Sequence, residues 1–208
     1  MKGKFITFEG CEGCGKSTQV RLLKEYLERE GIPFIQAREP GGTEISEKIR
    51  EIILDRSNSL MVDECEALLY AAARCQTIKE VILPALCEGK LVILDRYVDS
   101  SFAYQAFARG LGFEFVAKAN DFAIGNCMPD LTVFMDVDPE IAFKRKGGVD
   151  AGDRLESAGM EFHKRVYGGY KELEKIFPDR IVAFKAEGTK FETSALIIEY
   201  LKKRQFIR

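Results

Sequence analysis

The run Gly10-Cys11-Glu12-Gly13-Cys14-Gly15-Lys16-Ser17 satisfies the pattern G-x-x-x-x-G-K-[ST], between a short apolar segment and a helical one. Glycines at these positions let backbone N–H groups turn inward onto phosphate oxygens, and the helix that follows adds the positive end of its dipole. Lys16 supplies a point charge for the β- and γ-phosphates, and the Ser17 hydroxyl suits the Mg²⁺ that travels with a nucleoside triphosphate. ATP is therefore expected to lie along Gly10, Cys11, Glu12, Gly13, Cys14, Gly15, Lys16, Ser17 and Thr18. Cys11 and Cys14 also read as C-x-x-C, the spacing of a redox pair or of half a metal site. A tetrahedral metal needs further ligands, and the sequence has no second such pair, so both thiols are expected to be small loop-filling residues.

Further polar clusters follow other apolar segments, where the ligands of open α/β sheets gather. Arg38-Glu39-Pro40-Gly41-Gly42-Thr43 follows the second such segment, Asp95-Arg96-Tyr97 the third, and Ser100-Ser101-Phe102-Ala103-Tyr104-Gln105 lies just beyond. Taken singly, each reads as a turn with solvated charges. Beside a phosphate cradle, together, they read as the rest of a site. Asp95, closing a hydrophobic run, is the expected Mg²⁺ contact through water, with Asp136 and Asp138 as the runner-up pair.

The elements that must carry these residues are short and apolar: Lys4 to Phe8, Pro33 to Ala37, Leu91 to Leu94, Leu131 to Val137 and Ile181 to Phe184. Their apolarity is continuous rather than alternating, as in parallel strands covered on both faces by helices. Helical patterns alternate with them. Thr18 to Arg29 places Val20, Leu23 and Leu27 on one face, and Asp63 to Leu86 reads as a long helix with Leu68, Leu69, Ala72, Ile78 and Leu83 as its apolar members and Pro84 bending its end. The pattern predicts an α/β, doubly wound five-stranded parallel sheet flanked by helices. Three glycines within Gly147 to Gly152 predict a mobile loop.

A chain of 208 residues with 46% apolar and 31% charged residues is long enough for one substantial core, and one domain is expected. Lys and Arg (31) nearly balance Asp and Glu (33), which argues against a general nucleic-acid surface. No apolar run approaches the ~20 residues that cross a membrane. Residues 1–8 run into a β-like segment without a signal-peptide pattern, and six scattered cysteines suit a reducing compartment, so a cytoplasmic location is expected.

The combination of Phe8-Glu9-Gly10, Arg38 to Thr43 (REPGGT), Asp95-Arg96-Tyr97 with Ser100 to Gln105, Pro129-Asp130-Leu131-Thr132 and Asp153-Arg154-Leu155-Glu156 resembles the thymidylate kinases, P-loop nucleoside monophosphate kinases, over nearly the full chain. The resemblance implies transfer of the γ-phosphoryl of ATP to dTMP. It implies that Arg38 and Arg96 hold the acceptor phosphate, that Tyr70, where the family more often has Phe, stacks on thymine, and that Arg74, four residues on, meets its edge. Ser101 and Gln105 would help read the base, Tyr104 would crowd a ribose 2′-hydroxyl, and Glu12 would meet the 3′-hydroxyl. Since Cys11 to Cys14 contain no Lys or Arg, the catalytic cation would come from a lid at about residues 144–158, with Arg145 against adenine and Arg154 reaching the transferring phosphoryl. The catalytic set is then Lys16, Asp95, Arg96 and Arg154. His163, the only histidine, is expected on a helix surface without a catalytic part, because a phosphate acceptor needs no general base. A homodimer is implied, with the Asp63 to Leu86 helix able to supply its interface. Two competing readings are a deoxynucleoside kinase using Glu39 as base and a nucleotide-driven switch; the arginines oppose the first, and the guanine-reading N-K-x-D is absent.

Overall fold

Every residue of β1 (Phe5–Glu9) is buried, because both faces of this strand are covered and both edges are paired. A computed structural model describes residues 3–146 and 153–208, without the side chains of Lys146 and Glu156, so the glycine-rich loop expected at 147–152 lies outside the described residues. The sheet order is β2-β3-β1-β4-β5, all parallel, with β2 (Phe34–Arg38), β3 (Leu91–Asp95), β4 (Leu131–Asp136) and β5 (Ile181–Lys185). The five strands coincide with the five apolar runs of the sequence to within two residues at each end.

Helices cover both faces. On one, α1 (Lys16–Arg29) and α9 (Lys190–Lys203) pack over Ile6, Phe8, Ile93 and Val133. On the other lie α3 (Asp63–Thr77), α6 (Phe113–Ile124) and α8 (Met160–Ile176), over a core that includes Phe5, Val92, Leu94 and Phe134. Between them come α2 (Glu44–Leu54), α4 (Leu83–Cys87), α5 (Val98–Ser101) and α7 (Pro139–Lys146).

The long helix expected from Asp63 to Leu86 is continuous, but Ile78–Ile82 is wound as a π-helix ahead of Pro84, whose missing N–H cannot serve the regular ladder. Its apolar face is not the one the sequence suggested. Leu68 is 54% exposed and Ala72 is exposed, whereas Glu66, Ala67, Ala71, Ala73, Arg74 and Thr77 are buried. α3 turns small and polar residues inward, toward the end of the sheet where the site lies, and bulky Leu68 outward. A second π segment, Phe102–Ala108, continues α5 and lies against α8. That approach needs Gly169: a Cβ there would stand 3.0 Å from Phe107 Cβ and 3.1 Å from Ala103 Cα.

Candidate functional site

The β1–α1 connection carries the run Gly10 to Ser17 between strand and helix, as the sequence pattern requires of a phosphate cradle. Gly10 has φ 137°, and a Cβ at that position would meet the Met135 carbonyl oxygen at 2.8 Å and Cys14 Sγ at 2.9 Å, so only glycine lets the loop turn back over β4. Lys16 is 6% exposed and its ammonium donates to the Gly10 and Cys11 carbonyls at 3.0 and 2.9 Å, at the foot of the loop. Cys11 and Cys14 are free and buried, one in each half of the core. Burial, with Cys14 nearby, pushes the Cys11 thiol up to about 12, which suits an inert filler rather than a redox centre.

The Ser17 hydroxyl lies 3.2 Å from Asp95 Oδ2, bringing the two expected metal-contacting residues together where β3 ends beside β1. Two oxygens and no nitrogen or sulfur suit a hard cation such as Mg²⁺, which keeps waters and takes its remaining ligands from phosphates. The runner-up carboxylates are engaged elsewhere. Asp136 accepts from Tyr167 at 2.7 Å and Lys171 at 3.3 Å, and Asp138 accepts from the Glu140 N–H at 2.8 Å.

From this cradle a cleft of ≈ 470 Å³ extends past Arg38, Tyr70, Arg74, Arg96, Ser101, Tyr104 and Gln105, bringing the acceptor-side residues into one space. Arg96 turns into it from a backbone with φ 69°, an αL conformation costing roughly 1–2 kcal/mol for a residue with a Cβ. Its Nη2 pairs with Glu12, its Nη1 donates to Ser100 Oγ (3.1 Å) and the Tyr170 hydroxyl (3.3 Å), and its guanidinium lies 5.1 Å over the Tyr104 ring. Arg38 donates to the Pro40 carbonyl at 2.7 Å and to both Glu47 oxygens at 3.0 and 2.9 Å.

Arg74 is 1% exposed and held on three sides, by Glu39 (2.8 Å), the Tyr97 carbonyl (3.1 Å) and Asn120. Burial pushes its partner Glu39 up to about 7, against the pull of Arg74. Ser101 Oγ and the Tyr104 hydroxyl line the cleft buried and without a hydrogen-bond partner among the described residues. Buried polar groups of this kind are rare in folded proteins, and in the wall of a cleft they are placed to meet a bound ligand or water.

The candidate lid residues are divided. Arg145 donates to the Ala186 carbonyl at 2.9 Å, beside the β5–α9 turn, and also lines the cleft. Arg154 does not join Lys16: it donates to the Ile53 carbonyl at 2.9 Å and to Glu66 at 2.5 Å, against the end of α2 and the start of α3. His163 is not the surface residue the sequence suggested. It is fully buried on α8, edge-on to Phe143 and Phe162 at 4.7 and 5.6 Å, because the inner face of α8 packs under the cleft.

Sequence reasoning missed three residues here. Arg50, on α2, lines the cleft beside Arg38 and donates to the same Pro40 carbonyl at 3.0 Å; nothing in its helical context separates it from a solvated charge. Glu66 is fully buried and accepts from Gln105 (2.8 Å), Arg109 (3.0 Å) and Arg154. It precedes Tyr70 by four residues and Arg74 by eight on α3, which puts the three on one face but does not by itself tell a buried glutamate from a solvated one. Glu9, the carboxylate that closes β1, is the third.

The thymidylate kinase family model matches residues 8–197. A thymidylate kinase of Caldanaerobacter subterraneus subsp. tengcongensis is 49% identical over 206 residues, covering 97% of this chain and 98% of that protein. One from Bacillus velezensis is 46% identical over 211 residues, covering 99% of this chain and all of its own length. The crystal structure of thymidylate kinase from Ehrlichia chaffeensis has a TM-score of 0.78 and 31% identity, covering 97% of this chain and 100% of that one. With the phosphate cradle and the arginine-lined cleft meeting at the end of a five-stranded parallel sheet, this chain belongs to the thymidylate kinase family.

Proposed function

We propose that the chain transfers the γ-phosphoryl group of ATP to dTMP, giving dTDP and ADP in dTTP synthesis, with the two nucleotides meeting end to end in the cleft. The observation that carries this is the pairing of a phosphate cradle with a second set of arginines, Arg38, Arg50 and Arg96, beside it in one cavity. One triphosphate fills the cradle; the additional guanidinium groups call for a second anion.

Residues Gly10 to Thr18 hold the ATP phosphates, with Lys16 on the β- and γ-phosphates and Arg145 beside the adenine. Mg²⁺ would be held by Ser17 and, through water, by Asp95, and would neutralise charge on the donor phosphates. Arg38, Arg50 and Arg96 fix the acceptor phosphate, whose second pKa of about 6 leaves it largely dianionic and nucleophilic at neutral pH, so no protein base is needed. Tyr70 packs on the thymine, Arg74, Ser101 and Gln105 meet its polar edge, and Tyr104 crowds the 2′ position. Glu12 takes the 3′-hydroxyl. Arg74 is immobilised before any base arrives, which keeps the entropy cost of recognition low.

A site whose buried groups match one polar edge rejects analogues that leave them unpaired. Coupled measurement of ADP release should therefore show strong preference for dTMP over dCMP and over the ribonucleotide, and no turnover without a divalent cation. Equal use of dCMP and dTMP would refute the base assignment.

We also place the enzyme in the cytoplasm as a homodimer; all six cysteines are free, and among the described residues no helix is long and apolar enough to cross a membrane. Ile45 (52% exposed) and Ile52 (48%) on α2, Leu68 on α3 and Phe122 (93%) on α6 project outward from three neighbouring helices. Sedimentation should give twice the 23.5 kDa chain mass, and Leu68→Glu should shift it toward monomer. A wild-type monomer at micromolar concentration would rule the dimer out.

A further inference from the structure

We propose that Glu9 is a positioning residue for the acceptor phosphate, acting on Arg96 through the hydroxyls of Ser100 and Tyr170. The directions of the Arg96 bonds in this cluster follow from one fact: a guanidinium has donors only. Arg96 Nη1 therefore donates to both Ser100 Oγ (3.1 Å) and the Tyr170 hydroxyl (3.3 Å). The two hydroxyls lie 2.9 Å from each other and 2.6 Å (Ser100) and 2.7 Å (Tyr170) from Glu9 Oε2, and an ionised carboxylate there draws the single proton of each. Glu9 Oε1 accepts from the backbone N–H of Tyr97 (2.7 Å) and, more weakly, of Ser100 (3.3 Å).

As the ionised carboxylate, the state that the neighbouring Arg96 guanidinium favours, Glu9 accepts all four of these hydrogen bonds. Negative charge at the end of β1 is relayed through one layer of hydroxyls to the cation that faces the cleft. Burial first, then the charge of Asp99, pushes the Glu9 pKa up, while Arg96 and the two hydroxyls pull it back.

The same carboxylate fixes the main chain. Its bond to the Tyr97 N–H clamps the turn immediately after Arg96, the residue held at φ 69°. Both the unfavourable backbone and the side-chain direction of Arg96 are therefore set from Glu9. With two Nη1 protons on the hydroxyls and one Nη2 proton on Glu12, the Nε–H and a second Nη2 proton are left for a phosphate. Tyr170 reaches this cluster because Gly169 lets α8 close on Phe102–Ala108.

The inference rests on the reading that Arg96 holds the acceptor phosphate, and steady-state kinetics of purified variants separate the two. Tyr170→Phe and Ser100→Ala each remove one relay hydroxyl and should raise KM for dTMP several-fold, with KM for ATP unchanged. Glu9→Gln brings an NH₂ donor where only acceptors fit; it should raise KM for dTMP at least tenfold, and Glu9→Asp should recover part of that loss. In an Arg96→Lys background, Tyr170→Phe should add little, because its effect passes through the guanidinium. If Arg96→Lys alone leaves KM for dTMP at the wild-type value, the reading of Arg96 fails and the inference falls with it. If Arg96→Lys raises it while the relay variants do not, or raise both KM values equally, the positioning role alone is overturned. Should Glu9→Gln not fold, the two hydroxyl variants decide the matter.

Discussion

Lys16→Met should abolish phosphoryl transfer, lowering kcat on the order of a hundred- to a thousandfold or more, the usual loss when a preorganised charge on a reacting group is removed. The chain should still fold. Lys16 is 6% exposed, with its ammonium on two carbonyls of its own loop. Methionine keeps most of the buried stem but leaves those carbonyls without the donor, a cost of about 1–3 kcal/mol. For a chain of this length, at roughly 2–4 °C per kcal/mol, that corresponds to a fall in Tm of about 2–12 °C. Calorimetry beside the ADP-release assay would show both effects, and near-normal turnover would remove Lys16 from the mechanism.

The second large effect is expected for Arg154→Ala. A cradle without its own arginine leaves charge on the transferring phosphoryl to be met from the lid, and an arginine used in this way contributes about a thousandfold or more to kcat. KM for dTMP should change little, since Arg38, Arg50, Arg74 and Arg96 stay in place. Arg154 is held by Glu66, so its use in transfer requires it to exchange that carboxylate for the phosphoryl. Arg109, also on Glu66 at 3.0 Å, remains as counter-ion, so neither that exchange nor the alanine variant strands a buried charge. Stability should therefore fall less than the ~3–5 kcal/mol typical of breaking a buried pair. Arg145→Ala should mainly raise KM for ATP. Full kcat in Arg154→Ala, with loss in Arg145→Ala or Lys146→Ala, would move the catalytic role to another lid cation.

The sheet was legible because its central strands, β1, β3 and β4, are buried on both faces and so read as short, mostly apolar runs between helical stretches. The cradle was legible because its residue types are fixed by phosphate geometry. α3 was misread because its inward face serves the cleft: Glu66, Arg74 and Thr77 are buried by partners contributed by other elements, which no local periodicity records. Glu66 and Arg154 stand 88 residues apart, so a helix-surface glutamate and a buried hub look alike until the chain is folded. Arg50 was missed for the same reason. His163 failed in the other direction, a polar residue on a charged helix whose ring fills an aromatic corner.

The central position of β1 has a consequence for how the molecule is made. Phe5 registers with Val92 on one side and Ile6 with Leu131 on the other, so this strand has no neighbour until nearly half of the chain exists, and only one until well over half does. At ordinary elongation rates that is a delay on the order of ten seconds, during which Phe5, Ile6 and Phe8 have no sheet to enter. The nucleotide cradle, though encoded in the first residues, becomes a rigid object only after β3 and β4 have docked. Contacts so distant along the chain make for slow folding, and they leave a nascent apolar amino-terminal segment in the care of whatever shields it on the ribosome.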